Sequence, residues 1–206
     1  MISNIVVYRQ KYYYKGIEFS KSDITSLLTK ISKNRRIILC SENILIKKYK
    51  CSTKSIDKFI SNKIFEDFSN RDNLLFHFEI DKENKRVYLY SIRNNIRDLY
   101  ETAKDLRVEL LEFKIRTFVK SKLKNIKEML VLYRFKEINY LLKIYNDLIV
   151  DIISTIDISE VKEYLSEEEN ENIVLVKDEN YKELEDIYFN YAIDLGVDVY
   201  EKICKE

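Results

Sequence analysis

The chain has 206 residues, no proline and only two glycines, Gly16 and Gly196. Loops that wrap phosphates need glycine, because its φ freedom lets successive amides point at the anion. A P-loop and a dinucleotide-binding fingerprint are therefore excluded by inspection. The single histidine, His77, lies between two phenylalanines in a strand-like run, where a structural role outweighs a catalytic one. Cys40, Cys51 and Cys204 are an odd number without metal-ligand spacing, which suits a reducing compartment.

The chain is organised around residues 35–93. Arg35-Arg36-Ile37-Ile38-Leu39-Cys40 reads as a buried strand and Ile44-Leu45-Ile46-Lys47-Lys48-Tyr49 as a second, with a turn at 41–43. Ser52 or Thr53 is placed to cap a helix in which Ile56, Phe59, Ile60, Ile64 and Phe68 recur at three- and four-residue steps. A hairpin comes next, with strands over 74–80 and 87–92 joined by the polar turn 81–86.

Before this stretch, residues 5–8 read as a strand, 9–11 as a turn and 12–19 as its hairpin partner, rich in tyrosine. A helix starts at Ser20 or Ser22, with Ile24, Leu27, Leu28 and Ile31 at helical spacing. After the stretch, Asn94 or Asn95 caps a helix carrying Ile96, Leu99, Tyr100, Ala103 and Leu106 on one face. Residues 108–113 are strand-like, and 114–124 form a helix with Ile115, Phe118, Val119 and Leu123 inward. Its other side carries Arg116, Lys120 and Lys124, with Lys127 just beyond. Three apolar runs over 129–133, 138–145 and 148–153 predict a meander, with burial on Met129, Val131, Ile138 and Leu142. A short amphipathic helix over 158–165, the acidic run 167–171, a buried strand over 173–176 and a helix over 181–195 stopped by Gly196 complete the chain.

Apolar residues make up 46% of the chain and charged residues 34%, a globular composition and not a disordered one. No apolar run reaches the roughly 20 residues that span a bilayer, and the N-terminus has no basic and apolar leader pattern. A cytoplasmic protein is expected. The net charge of +1 conceals a division: residues 1–156 sum to +12 and residues 157–206 to −11. Either the two parts are separately solvated or docked, or the basic part meets an acidic partner such as nucleic acid.

The order of elements predicts an α/β protein of two related lobes. It resembles the actin-like (ribonuclease-H-like) fold, and within it the PilM-type pilus assembly proteins and the GspL-type cytoplasmic domains of type II secretion. The pattern behind this is strand 37–39, strand 44–49, the break at Ser52-Thr53, helix 55–68 and hairpin 74–92. The helix over 95–106 then leads to a strand at 108–111 through Arg107, without the family's glycine. The resemblance implies a first lobe with mixed sheets over 1–120, carrying an inserted sub-element at about 41–92, and a reduced second lobe over 121–206 with a C-terminal helix. Actin-like proteins grip ATP with glycine-containing hairpin turns. The corresponding turns here are Tyr8-Arg9-Gln10-Lys11 and Tyr133-Arg134-Phe135-Lys136, with a late loop at Lys177-Asp178-Glu179-Asn180, and none contains glycine.

Turns of this kind lead to the expectation of a degenerate nucleotide site, no cofactor, no metal, no small-molecule substrate and no catalytic residues. The role implied by the resemblance is a non-enzymatic scaffold that binds the cytoplasmic peptide of a PilN-like membrane protein at the inner face of the plasma membrane, with the assembly ATPase as a second expected partner and a homodimer as the expected assembly. Lys47, Lys48, Lys50 and Lys54 are expected to flank the partner groove, with Tyr49, Phe59 and Ile60 as apolar contacts. The alternative is a nucleic-acid-binding regulator using the basic part. An enzyme is the third class; acidic pairs such as Glu66-Asp67 exist, but no nucleophile motif accompanies them.

Overall fold

Without glycine to spare, the first hairpin turns on side-chain-bearing residues. In the computed structural model, β1 (Ser3–Tyr8) and β2 (Lys11–Tyr14) are joined by Arg9 and Gln10, both at positive φ, 46° and 62°. Such a turn matches the right-handed twist of the flanking strands. Lys15 and Gly16, at 50° and 77°, make a second turn into β3 (Ile17–Phe19). Residues 12–19 are thus two strands and not one, because Gly16 reverses the chain midway. The structure describes residues 2–40, 43–94, 96–167, 172–177, 188–197, 199 and 201–202.

A single 3-10 turn, Lys21–Asp23, closed by the reciprocal Ser20 and Asp23 contacts of a capping box, feeds α1 (Ile24–Lys30), which buries Leu27. β4 (Asn34–Cys40) then runs parallel to β1, pairing Ile5 with Ile37 and Val7 with Leu39.

Residues Asn43–Asn95 form one compact unit. It holds β5 (Leu45–Lys50), α2 (Ile56–Asp67), β6 (Leu74–Asp81) and β7 (Arg86–Arg93) in a sheet ordered β5-β7-β6. Alternation along the strands sends Val87 and Leu89 to the α2 side, where they pack with Ile60 and Phe68. Helix α2 begins after Ser55 and not at Ser52 or Thr53; the Thr53 hydroxyl instead accepts from the Ser55 amide.

The remaining residues, Met1–Glu42 and Ile96–Glu206, form the other unit. Here α3 (Arg97–Tyr100) is a single turn, followed by β8 (Asp105–Leu110) and α4 (Leu111–Lys122). The helix expected over 95–106 is cut short because Leu106 joins β8, in register with Arg35 of β4. The buried Arg35 guanidinium also holds the loop before β8, donating to the carbonyls of Ser32 and Leu99 and to Thr102 Oγ1. Three acceptors satisfy a cation that burial would otherwise penalise.

β9 (Glu128–Phe135), β10 (Ile138–Tyr145) and β11 (Leu148–Thr155) form the expected meander, with Met129, Val131, Ile138 and Leu142 all buried. One face packs Leu130, Leu132, Leu141 and Leu175 against Val161 of α5 (Ile158–Glu167). On the other, the Tyr133 and Tyr140 rings stack with centroids 4.9 Å apart. β12 (Ile173–Lys177) and β13 (Tyr191–Asp194) come last. The helix expected over 181–195 is overturned at its end, where 191–194 pairs in parallel with β12; its remainder over 181–187 lies outside the described residues.

The two five-stranded sheets repeat one plan. In β3-β2-β1-β4-β8 and in β11-β10-β9-β12-β13, an antiparallel meander is followed, beside its first strand, by two parallel strands. Central strands β1 and β9 are buried on both faces, as parallel neighbours require.

Candidate functional site

The shared plan gives each sheet a hairpin at the same place, and the two hairpin ends meet. Tyr8 ends β1 and Phe135 ends β9; their rings touch edge to face with centroids 5.5 Å apart. The guanidinium of Arg9 pairs with the carboxylate of Glu137 across the two turns. Lys136, at φ 54°, lays its ammonium 3.7 Å from the Tyr13 ring centroid and 5.0 Å from that of Tyr8. The second turn is therefore Lys136-Glu137, with Phe135 still in strand.

Around this junction charges are already matched. Glu18 accepts from Lys11 Nζ at 2.6 Å and from the Tyr13 hydroxyl at 2.7 Å. Both bonds hold its carboxyl below the ordinary range. Burial and the Glu18 bond raise the Tyr13 phenol. Burial lowers the Lys136 ammonium, against the pull of Glu18 and Glu137. Burial pushes Glu137 up, but its own amide, the Tyr8 hydroxyl, Arg9 and Lys136 outweigh that and keep it low. An anion arriving here would meet two ionised carboxylates, and cations that already hold other partners. The late loop at 177–180 lies outside the described residues beyond Lys177.

The seven residues expected at a partner groove are divided by the pleat of β5. Lys47 and Tyr49 point to the α2 side: the Tyr49 hydroxyl donates to Asp67 Oδ2 at 2.5 Å, and Lys47 Nζ lies 3.3 Å from the same oxygen. These contacts hold Asp67 low, the Tyr49 bond foremost. Phe59 meets Tyr49 edge to face, and Ile60 is part of the helix-side core. Lys48 and Lys50 lie on the opposite face, with Lys48 Nζ 5.5 Å from the Tyr88 ring centroid. Lys54 is exposed in the loop before α2. The structure thus unites Lys47, Tyr49, Phe59 and Ile60, and separately Lys48 and Lys50.

Of the other candidates, His77 is exposed and stacks on Tyr90, with Nε2 4.0 Å from Glu79. Of the basic set on α4 and beyond, Arg116 lies over the Phe113 ring, and Lys120 pairs with Asp147 at 2.6 Å while donating to the Ile126 carbonyl. That set is not a row of uncommitted cations. Among the described residues no group of three or more His, Cys, Asp and Glu is placed to hold a metal, and no helix is long and apolar enough to cross a membrane. Glu137 and Tyr13 escape sequence reasoning, since only the meeting of two distant hairpins gives them partners.

No family model and no curated protein matches this sequence. Solved structures do. The chain is similar to a Bacteroides thetaiotaomicron protein of actin-like ATPase fold and unknown function, at 12% identity and TM-score 0.56, covering 89% of this chain and 84% of that one. It is similar to the cytoplasmic domain of EpsL, an inner-membrane component of the Vibrio cholerae type II secretion system, at 6% identity and TM-score 0.61, covering 99% and 93%. It is also similar to a chain of the PilM–PilN type IV pilus biogenesis complex, at 8% identity and TM-score 0.61, covering 98% and 90%. Identities this low carry the architecture alone, and on that architecture this chain has the actin-like fold.

Proposed function

We propose that the chain is a non-catalytic, cytoplasmic scaffold of a type IV pilus or type II secretion assembly, holding the cytoplasmic peptide of a PilN-like inner-membrane partner and contacting the assembly ATPase. The observation that carries this reading is the closed junction of the two hairpin turns, where Tyr8, Phe135, Arg9, Glu137, Lys136 and Tyr13 engage one another. Gripping a triphosphate takes several backbone amides at close range; this junction offers bulky side chains in their place. Solved proteins of like architecture that belong to secretion and pilus machines support the assignment of the machine. In this reading residues 1–120 act as the first lobe and 121–206 as a reduced second lobe. The partner lies beside Lys47, Lys48, Tyr49, Lys50, Lys54, Phe59 and Ile60.

Two measurements test it together. Calorimetry with ATP and magnesium is expected to show no saturable heat at about millimolar nucleotide. The tail of a one-span inner-membrane protein encoded beside this chain is expected to co-purify with it. Micromolar ATP binding with turnover, or a tail that never co-purifies, overturns the reading.

A further inference from the structure

β5 is an edge of its sheet: among the described residues it pairs with β7 and with no other strand. Its backbone therefore has an outer side, and the register says which residues present it. The Cys51 amide donates to the Lys85 carbonyl at 2.8 Å, one step beyond the Lys50–Arg86 pair. In an antiparallel ladder hydrogen-bonded pairs alternate with non-bonded ones. Cys51, Tyr49, Lys47 and Leu45 thus turn their amides and carbonyls to β7, and Ile46, Lys48 and Lys50 turn theirs outward.

Two of those three outward residues are lysines, and both side chains lie on the face away from α2. Neither has an acidic partner among the described residues, whereas Lys47 on the helix side has Asp67. Arg86, beside Lys50 in register, faces the Asp81 carboxylate of β6 on its other side, which leaves Lys48 and Lys50 as the cations of this edge. The other edge strand, β6, carries His77 and Glu79 on the same face and no lysine or arginine between Leu74 and Asp81. Positive charge therefore marks one edge only.

Lysines on an edge also keep it from pairing with its own copy. In a two-fold antiparallel pairing centred on Lys48, Lys48 would meet Lys48, and like charges directly opposite are destabilising. The charges that reject a second copy attract a strand of opposite sign.

We infer that the outer edge of β5 takes up an extended, acidic segment of a partner protein as a fourth strand, its backbone pairing with Ile46, Lys48 and Lys50 and its carboxylates facing Lys48 and Lys50. The identity of the partner rests on the scaffold reading; the site rests on the β5 register.

The test uses the full chain and a fluorescein-labelled synthetic peptide of about 12 residues, alternating Glu with Val or Thr, long enough to pair along the whole strand. Controls replace Glu by Lys, or carry N-methyl groups on alternate amides in both phases. The acidic peptide is expected to bind at least about tenfold more tightly than the lysine peptide. Binding should fall about tenfold in Lys48→Glu/Lys50→Glu and in the milder Lys48→Gln/Lys50→Gln, both with unchanged circular dichroism. At least one N-methyl phase should abolish it. The amides of Ile46, Lys48 and Lys50 should gain hydrogen-exchange protection on binding.

Equal binding of both N-methyl phases, or no protection at those three amides, overturns the inference. So does a single-stranded oligonucleotide that outcompetes the peptide through the same lysines. Capture of the membrane partner's tail by both double variants as by the natural chain sinks the edge site and leaves the scaffold reading standing. Failure of the natural chain to capture the tail, with the acidic peptide still bound at β5, does the reverse.

Discussion

At the first turn of α4 sits Glu112, wholly buried, with neither carboxyl oxygen in hydrogen-bond geometry to another residue. Burial raises its pKa to about 8, opposed only by its own backbone amide. The folded state therefore keeps a proton that the unfolded chain gives up near the ordinary carboxylate pKa. Stability from this group is whole below that ordinary value, declines as pH rises through the window between it and about 8, and is flat above. Replacing it by an apolar side chain of similar volume, Glu112→Met, is expected to raise stability by about 1–3 kcal/mol at pH 8 and by much less at pH 5. Urea denaturation at the two pH values measures this. A variant equally destabilised at both would mean that the carboxyl has a partner worth keeping.

At the scale of elements, the hairpins carry the cost of a chain poor in glycine. Arg9 and Gln10 both take positive φ, where a side chain costs roughly 1–2 kcal/mol. Arg9 recovers part of this through Glu137. Gln10→Gly is expected to stabilise the protein by about 0.5–1 kcal/mol, the strain relieved exceeding the entropy that glycine adds to the unfolded chain. A thermal melt reads the change, and a lower Tm would show that Gln10 makes a contact worth more than the strain. Within the facing hairpin, Lys136→Glu replaces a cation over two tyrosine rings by an anion beside Glu18 and Glu137. A loss of about 1–2 kcal/mol in chemical denaturation is expected, with more than half of it recovered when Glu137→Gln is added. No recovery would place the loss in the rings alone.

For the molecule as a whole, the division into two units matters most. Asn43–Asn95 owns a core of Ile60, Phe68, Val87 and Leu89, separate from the Leu130, Leu132, Leu141, Val161 and Leu175 cluster. Leu89→Ala, at a wholly buried position, is expected to cost about 2–5 kcal/mol. Native-state hydrogen exchange should show this as faster opening of β5, β6 and β7 amides, with β9 and β10 little changed. A uniform loss across both units would mean that they unfold as one.

The features that the amino-acid order determined by itself are local in origin. Alternation of apolar residues marked β4, β5, β6, β7 and the β9–β11 meander, and helical spacing marked α2, because a strand or helix must bury one face whatever it packs on. The absence of glycine from the hairpin ends was equally legible. Tertiary structure alone decided the rest. Leu106 went to β8 because β4 offered it a parallel partner, and residues 191–194 went to β13 beside β12, both against a helical spacing that neighbouring positions suggested. Tyr8, Arg9, Tyr13, Phe135, Lys136 and Glu137 became one cluster because two sheets of the same plan bring their hairpins together. That juxtaposition spans more than a hundred residues of chain, and no periodicity within either hairpin encodes it.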